Sequence, residues 1–250
     1  MAVIYEPTGK AREYSELACN LYTGCSNGCL YCYAPAIRRM KRDAYLNVTP
    51  RQNIVNLFHK ELTKNDYGDK QILFCFMTDP YNSLESEKQI TRRCIEIAND
   101  NNIRLKILTK NSLVLRDLDI LKNHTVGFTL TFFNLNDSKY WEPNASNPTK
   151  RLNSLVILKA KNIKTWASFE PVIDPMQSFE LIKETVNLVD HYKIGKLNNY
   201  KGLDKDIDWA CFLDKCVNLL RRNGKSFYIK KDLREAAPVI ELRQEEKIIV

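Results

Sequence analysis

Asn20-Leu-Tyr-Thr-Gly-Cys25-Ser-Asn-Gly-Cys29-Leu-Tyr-Cys32-Tyr33 sets three cysteines at C-x3-C-x2-C, directly after a short apolar segment, 17–22, that reads as a strand. Closely spaced thiolates in a loop are ligands for an iron–sulfur cluster or for zinc. A structural zinc takes four ligands and this run supplies three, so Cys19 or Cys75 would have to complete such a site. A four-iron cluster held by three thiolates is the other reading. It leaves one iron without a protein ligand, open to a chelating substrate or cofactor. Gly24 and Gly28 let the backbone wrap closely around a compact inorganic core.

Working outward, the same unit recurs: an apolar strand-like run, then a stretch with helical spacing. Segments 71–77, 103–109, 125–131, 163–169 and 191–195 are short and rich in β-branched or aromatic residues. Between and after them, 86–99, 112–122, 147–161, 175–189 and 205–223 carry helical periodicity, with Ser112 as a candidate N-cap. With 17–22 as first strand and 50–64 as its helix, the chain contains six βα units. Such alternation gives a parallel sheet with right-handed crossovers, either a partial (β/α)6 barrel or an open doubly wound sheet. In both, the loops after the strands form the site. Residues 1–197 are expected to form the barrel core, with a lead-in strand and the cysteine loop. Residues 198–250 are expected to form a helical, basic extension packed on the same domain.

A chain of 250 residues buries a full core without staples. Its eight cysteines therefore do not read as the disulfide framework of a short secreted domain. No secretory leader is read at the N-terminus and no apolar run spans a bilayer, so a cytoplasmic location is expected. Cys94, Cys211 and Cys216 read as buried helix residues, and His59, His124 and His191 show no metal spacing. Between residues 191 and 234 there are 11 Lys or Arg against 5 Asp, a net of +6 in a chain of net +8. That stripe suggests a polyanion such as nucleic acid as partner, or else a solvated surface. The run Arg38, Arg39, Lys41, Arg42 follows the cysteine loop and reads as a solvated face, though one that borders the expected active-site side. Glu170 ends an apolar strand and is expected at the barrel mouth, facing a ribose hydroxyl or the substrate. Lys193 and Lys196 bracket the end of the sixth strand and are candidates to meet a phosphate or carboxylate.

The cysteine motif, with the aromatic Tyr31 before its third cysteine, resembles the signature of the radical S-adenosylmethionine superfamily. Across residues 20–175 the chain further resembles spore photoproduct lyase and the DNA-repair-photolyase-like proteins. The matching pieces are Cys29-Leu-Tyr-Cys-Tyr33, Thr78-Asp-Pro-Tyr81, Leu108-Thr-Lys110, Phe128-Thr-Leu-Thr131, Trp141-Glu-Pro143 with Arg151, and Pro171. The resemblance implies a [4Fe–4S] cluster on Cys25, Cys29 and Cys32, with S-adenosylmethionine beside Tyr31 and Tyr33. Thr78, Lys110 and Thr129 would contact its methionine or ribose portions. Lys110 offers a point charge for the carboxylate, and Asp79 is an alternative partner for the ammonium.

The implied reaction is reductive cleavage of S-adenosylmethionine to a 5′-deoxyadenosyl radical, which abstracts hydrogen from a substrate. A nucleic-acid base ranks first as substrate, and a peptide or small metabolite second. A non-catalytic iron–sulfur or zinc protein that binds nucleic acid is the alternative of another class. A flavodoxin- or ferredoxin-type reductant is implied as partner. In spore photoproduct lyase a cysteine two residues before the position of Thr78 returns a hydrogen atom to the product radical, and Phe76 stands there in this chain. Strand alternation turns the adjacent Cys75 to the opposite face, so a reaction other than photoproduct repair is expected.

Overall fold

The computed structural model of the chain describes residues 2–198, 202 and 205–248. The chain enters through β1 (Ile4–Tyr5), which pairs antiparallel with β2 (Leu17–Cys19). The expected first strand stops early. Beyond Cys19 the chain leaves the sheet and forms β3 (Tyr22–Thr23), an antiparallel partner of β4 (Thr49–Pro50). Between β3 and β4 lie the cysteine loop and two short helices, α1 (Ala34–Ile37) and α2 (Arg42–Tyr45).

The βα alternation then runs as the periodicity predicts: α3 (Ile54–Lys64), β5 (Ile72–Phe74), α4 (Glu85–Lys88), α5 (Ile90–Asp100), β6 (Leu105–Thr109), β7 (Thr125–Thr129), α6 (Leu135–Trp141) and α7 (Pro148–Ala160). It continues through β8 (Lys164–Val172), α8 (Pro175–Thr185), β9 (His191–Lys196), α9 (Trp209–Arg222), β10 (Ser226–Ile229) and α10 (Lys231–Ala236). The sheet order is β1-β2-β5-β6-β7-β8-β9-β10, parallel throughout from β2 to β10. β1 and β10 are its edges, so the curved sheet is a partial barrel. Six of the parallel strands are the expected ones. β10 adds a seventh from a stretch in which only helix was expected.

Two helices depart from expectation, and a third places one cysteine differently. The predicted helix 86–99 is broken at Gln89, which takes a left-handed φ of 49° between α4 and α5. The predicted helix 112–122 is a 3-10 turn over Ser112–Asp117. Asn111 precedes that turn, and the Ser112 hydroxyl meets Ser146 Oγ at 3.2 Å rather than capping. On α9 the buried stripe is Trp209, Phe212, Leu213, Cys216, Val217 and Leu220, which leaves Cys211 off the stripe and exposed.

Strand residues alternate between two environments, as pleating requires. One face carries Leu17, Cys19, Ile72, Phe74, Ile107, Val126, Ala167, Phe169, Tyr192 and Ile194 into the large apolar core under the helices. The other carries Ala18, Leu73, Trp166 and Leu108 into a small inner cluster with Tyr14 and Phe76. Gly127 leaves room for the indole of Trp166: a Cβ there would sit 2.4 Å from Nε1, which donates to the Ile107 carbonyl at 2.9 Å. The inner face also holds Lys106, over the Trp166 ring, and Lys193, whose ammonium donates to the Glu13 and Tyr14 carbonyls at 2.7 and 2.9 Å.

Candidate active site

The cysteine loop is held from every side. Gly24 has φ +80°, and a Cβ there would lie 2.5 Å from the Asn47 carbonyl, so only glycine passes at this point. The Cys25 N–H donates to the Tyr45 carbonyl at 2.8 Å, and Thr78 Oγ1 donates to the Gly24 carbonyl at 2.5 Å. Arg42 of α2 donates to the carbonyls of Cys29 and Cys32 at 3.0 and 3.1 Å. Leu30 N–H reaches the Trp141 carbonyl, and Asn144 Nδ2 reaches the Ser26 carbonyl, both at 2.9 Å.

Asp79 is the buried clasp of this arrangement. Oδ1 accepts from Tyr81 N–H and Thr109 Oγ1 at 2.9 and 2.6 Å, and Oδ2 accepts from Asn27 Nδ2 and Lys110 N–H, both at 2.8 Å. A carboxylate offers about four lone-pair positions, and all four are taken. The alternative assignment of Asp79 to a ligand ammonium therefore gives way to a structural one: it ties the cysteine loop to the ends of β5 and β6.

The loop opens on a cavity of about 450 Å³ at the C-terminal ends of the strands. Cys25, Cys29, Cys32, Tyr31, Tyr33, Thr78, Asp79, Lys110, Thr129 and Glu170, all singled out in the sequence, line it. Burial pushes the thiols of Cys25 and Cys29 up to about 12, with Asp79 adding to the effect at Cys25. At Cys29, Lys110 opposes it. A bound metal deprotonates such a thiol outright.

Beneath Tyr31 lies an ion pair that carried no assigned role in the sequence. Glu142, fully buried, accepts from Arg151 Nη2 at 2.5 Å, from the Tyr31 hydroxyl, and from Thr131 Oγ1 at 3.3 Å. Lys110 Nζ is 4.0 Å from the same carboxylate and 5.5 Å from the Tyr31 ring centre. Burial alone would raise the Glu142 carboxyl; Arg151, Lys110 and the two hydrogen bonds outweigh it and hold it below the usual carboxylate range. Burial alone would lower the Lys110 ammonium, and Cys29 and Glu142 together hold it above the usual lysine range. The buried carboxylate thus keeps Lys110 charged and braces Tyr31 through one atom group. Trp141-Glu-Pro143 and Arg151 marked the place; that they pair with each other was not readable from spacing.

On the opposite wall, Glu170 reaches the mouth where the β8–β9 register shifts between Phe169 and Val172. Its Oε2 accepts from the Tyr14 hydroxyl and from Lys230 Nζ, both at 2.5 Å. Tyr14 and Lys230 also line the cavity, and neither was read from the sequence. Of the two lysines placed at the end of β9, only Lys196 lines the cavity, with its ammonium 5.9 Å from the Trp209 ring centre. Lys193 is fully buried one layer below, and burial pushes its ammonium well below the usual range. It is not available to a phosphate.

Part of the basic stripe over 191–234 is used inside the protein, Lys193 and Lys230 being buried, while Lys205, Lys215, Arg222 and Lys231 are exposed; Lys201 and Asp204 lie outside the described residues. Arg221 forms a bidentate pair with Glu246 at 2.7 Å, Lys225 donates to the Val189 carbonyl, and Lys230 is held by Glu170. Arg221, Arg222 and Lys225 stand where α9 ends and β10 begins, at the end of the sheet away from the cavity.

Cys75 and Phe76 part company at the end of β5. Cys75 borders the cavity, but its Sγ is turned to the outer core, where it accepts from Leu21 N–H at 3.4 Å. The Phe76 ring lies 5.6 Å from the Tyr14 ring and 6.1 Å from that of Tyr33, on the cavity side. Cys19 lies in the outer core away from the cavity, and the Cys75 thiol is turned from the loop thiols toward Leu21 N–H. Among the described residues, no group of three or more His, Cys, Asp or Glu is spaced to hold a single ion. Thiolates bound at about 2.3 Å to one zinc sit about 4 Å apart, whereas a cubane spreads its ligands across its corners. Three thiols on one clamped loop, beside a roomy cavity, fit the cubane with one corner free.

Comparison with known proteins agrees with this geometry. An uncharacterised protein of Methanocaldococcus jannaschii is 31% identical over 185 residues, spanning 72% of this chain and 69% of that one. An uncharacterised protein of the Acidianus two-tailed virus is 25% identical over 199 residues, 74% of this chain and 65% of that one. Among solved structures, a spore photoproduct lyase variant with bound S-adenosylmethionine and dinucleoside spore photoproduct superposes with a TM-score of 0.65 at 16% identity. The superposition covers 86% of this chain and 76% of that one. Streptococcus suis SuiB bound to S-adenosylmethionine gives 0.66 at 14% identity, over 90% of this chain and 53% of SuiB. These two likenesses establish the partial-barrel fold. The family model of the radical SAM superfamily matches residues 19–189, from the end of β2 to the start of β9, and the chain belongs to that superfamily.

Proposed function

We propose that this protein cleaves S-adenosylmethionine reductively and uses the resulting radical to take hydrogen from a nucleic-acid base. The observation that carries the reading is the shared cavity: three thiols of one clamped loop, a cationic lysine and two threonines open on the same 450 Å³ space. Cys25, Cys29 and Cys32 would hold a [4Fe–4S] cluster, which supplies, when bound and reduced, one electron to the sulfonium.

The chain's own residues do the rest. Lys110, kept charged by Glu142, attracts the carboxylate of the bound cofactor. The Thr78 hydroxyl, its proton committed to the Gly24 carbonyl, keeps lone pairs for the ammonium. Thr129 contributes a buried polar atom near the ribose, and Glu170 with Lys230 forms a polar wall for its hydroxyls. Tyr31 and Tyr33 wall the adenosyl side, and Phe76, Leu108 and Pro171 exclude water from the reacting carbon.

Two observations bear on the substrate. Lys10, paired with Asp232 at 2.5 Å, and Lys196 line the same cavity, and the fold likeness includes an enzyme bound to a dinucleoside photoproduct. The reaction differs from photoproduct repair, because Phe76 has no weakly held hydrogen atom to return and the Cys75 thiol, although the residue borders the cavity, is turned to Leu21 N–H. The test is incubation of the reduced holoenzyme with deuterated oligonucleotides and, separately, deuterated peptides. Deuterium passing from an oligonucleotide into 5′-deoxyadenosine supports the reading. Transfer from peptides alone overturns the substrate class, and the fold likeness to SuiB, also solved with its precursor peptide, makes that the second reading.

A further inference from the structure

The outer side of the cysteine loop carries an exposed patch that the catalytic reading does not use. Residues 37–46 contain four cations and one anion, a net of +3. Three large apolar side chains stand out in the same stretch: Ile37, which also lines the cavity at its rim, is 63% exposed, Leu46 39% and Met40 37%. Arg38, Arg39 and Lys41 are exposed between them, and among the described residues no ion pair engages these three. The stretch is bonded directly to the thiol-bearing residues. Arg42 holds the Cys29 and Cys32 carbonyls, and the Tyr45 carbonyl takes the Cys25 N–H. The patch and the three thiols therefore share one hydrogen-bonded backbone.

We propose that α1, α2 and the turn joining them form the docking surface for an acidic, one-electron carrier protein. The inference rests on the cluster reading above. The carrier gives up one electron and is oxidised by one; the cluster site gains that electron, and no atom is transferred. Charge complementarity selects the partner: clustered, unpaired cations attract an acidic rim and speed encounter. The apolar side chains argue against a nucleic acid here. A phosphate backbone gives Met40 and Leu46 nothing to be buried against, and base stacking uses exposed aromatic rings, whereas Tyr45 is buried. Small interfaces of mixed apolar and charged character suit transient redox encounters.

The experiment compares reductants on the cluster-loaded holoenzyme, following formation of 5′-deoxyadenosine with reduced flavodoxin, reduced ferredoxin or dithionite. The variants are Arg38→Glu/Arg39→Glu/Lys41→Glu and, separately, Met40→Ser. The triple variant should lose about tenfold or more of the carrier-driven rate at low salt, with its dithionite-driven rate unchanged. The wild-type carrier rate should fall as salt rises, and that slope should flatten in the variant. Met40→Ser should slow the carrier-driven rate at any salt. Equal carrier-driven rates in wild type and triple variant overturn the inference. So does an equal loss with dithionite, which marks the segment as a brace for the loop. Loss of oligonucleotide binding with intact carrier-driven turnover makes the patch a nucleic-acid surface instead. If dithionite drives no cleavage in the wild type, the enzyme reading itself falls and takes this one with it.

Discussion

Arg151→Met removes a guanidinium that is 2% exposed at its side chain and pairs at 2.5 Å with a Glu142 side chain that is fully buried. It also withdraws donors from the Ser146 and Thr129 carbonyls, at 2.7 and 2.9 Å. Breaking a buried pair from one side costs ~3–5 kcal/mol, because the remaining charge stays desolvated. In a chain of this size each kcal/mol moves the melting temperature by ~2–4 °C, so the variant should melt roughly 6–20 °C lower. Glu142→Gln removes the other charge and should be similarly costly. The double variant leaves no uncompensated charge and should therefore lose clearly less than the two single losses added together.

The pH dependence has a defined sign. Glu142 is held below the usual carboxylate range, so its contribution is full above the unfolded value, near 4.3, and fades as the pH falls through the folded one. In Arg151→Met that carboxyl moves up, so the gap between wild type and variant should narrow as the solution is acidified. Anaerobic thermal melts of the four proteins at neutral and mildly acid pH measure this. Single losses below about 1 kcal/mol that simply add would refute the view that this pair is a desolvated brace.

Lys110→Ala should weaken S-adenosylmethionine binding by at least an order of magnitude, by calorimetry, with the iron content unchanged; normal affinity removes Lys110 from the site. Gly24→Ala sets a Cβ against the Asn47 and Tyr45 carbonyls at 2.5 and 2.8 Å, so the loop must shift and cluster loading should drop sharply, read as iron per chain. Burial lowers the ammonium of Lys106 to about 8 and that of Lys193 well below the usual range, so the unfolded chain binds more protons than the folded one. Stability should consequently rise from about pH 8 towards pH 10, and Lys193→Met should flatten the rise in denaturant titrations. Reduced enzyme given S-adenosylmethionine and spore-photoproduct dinucleotide should not sustain repair, since Phe76 has no weakly held hydrogen atom to return. Multi-turnover repair lost in Cys75→Ala contradicts this.

What could be read in advance follows from which signals are local. The cysteine loop, its glycines and the strands after it are encoded within a few residues, by ligand spacing and by period-two apolar runs. The ten residues singled out for the site lie within or just beyond such segments, and all of them line one cavity. Partnerships across the sequence were invisible. Lys230 meets Glu170 across 60 residues, and Tyr14 reaches it across 156, with nothing in either neighbourhood to announce it. For the same reason Lys193 looked like a mouth residue, although strand alternation turns it into the interior beneath Tyr14. Net charge is coarse in a related way: a count over 191–234 does not tell Arg221, tied to Glu246, from the exposed Arg222. β10 was missed although Asn223-Gly224 ends α9 and Ser226-Phe-Tyr-Ile229 follows, because four residues make a weak signal until β9 stands beside them.

The most direct test is to reconstitute the protein anaerobically, reduce it with dithionite, and measure methionine and 5′-deoxyadenosine formed from S-adenosylmethionine. Four proteins are compared: wild type and the single Cys→Ala variants at Cys25, Cys29 and Cys32. The account predicts about four irons per wild-type chain, cleavage by the wild type, and loss of both iron and cleavage in every variant. Stoichiometric zinc that depends on Cys19 or Cys75, with no cleavage by the wild type, would contradict it.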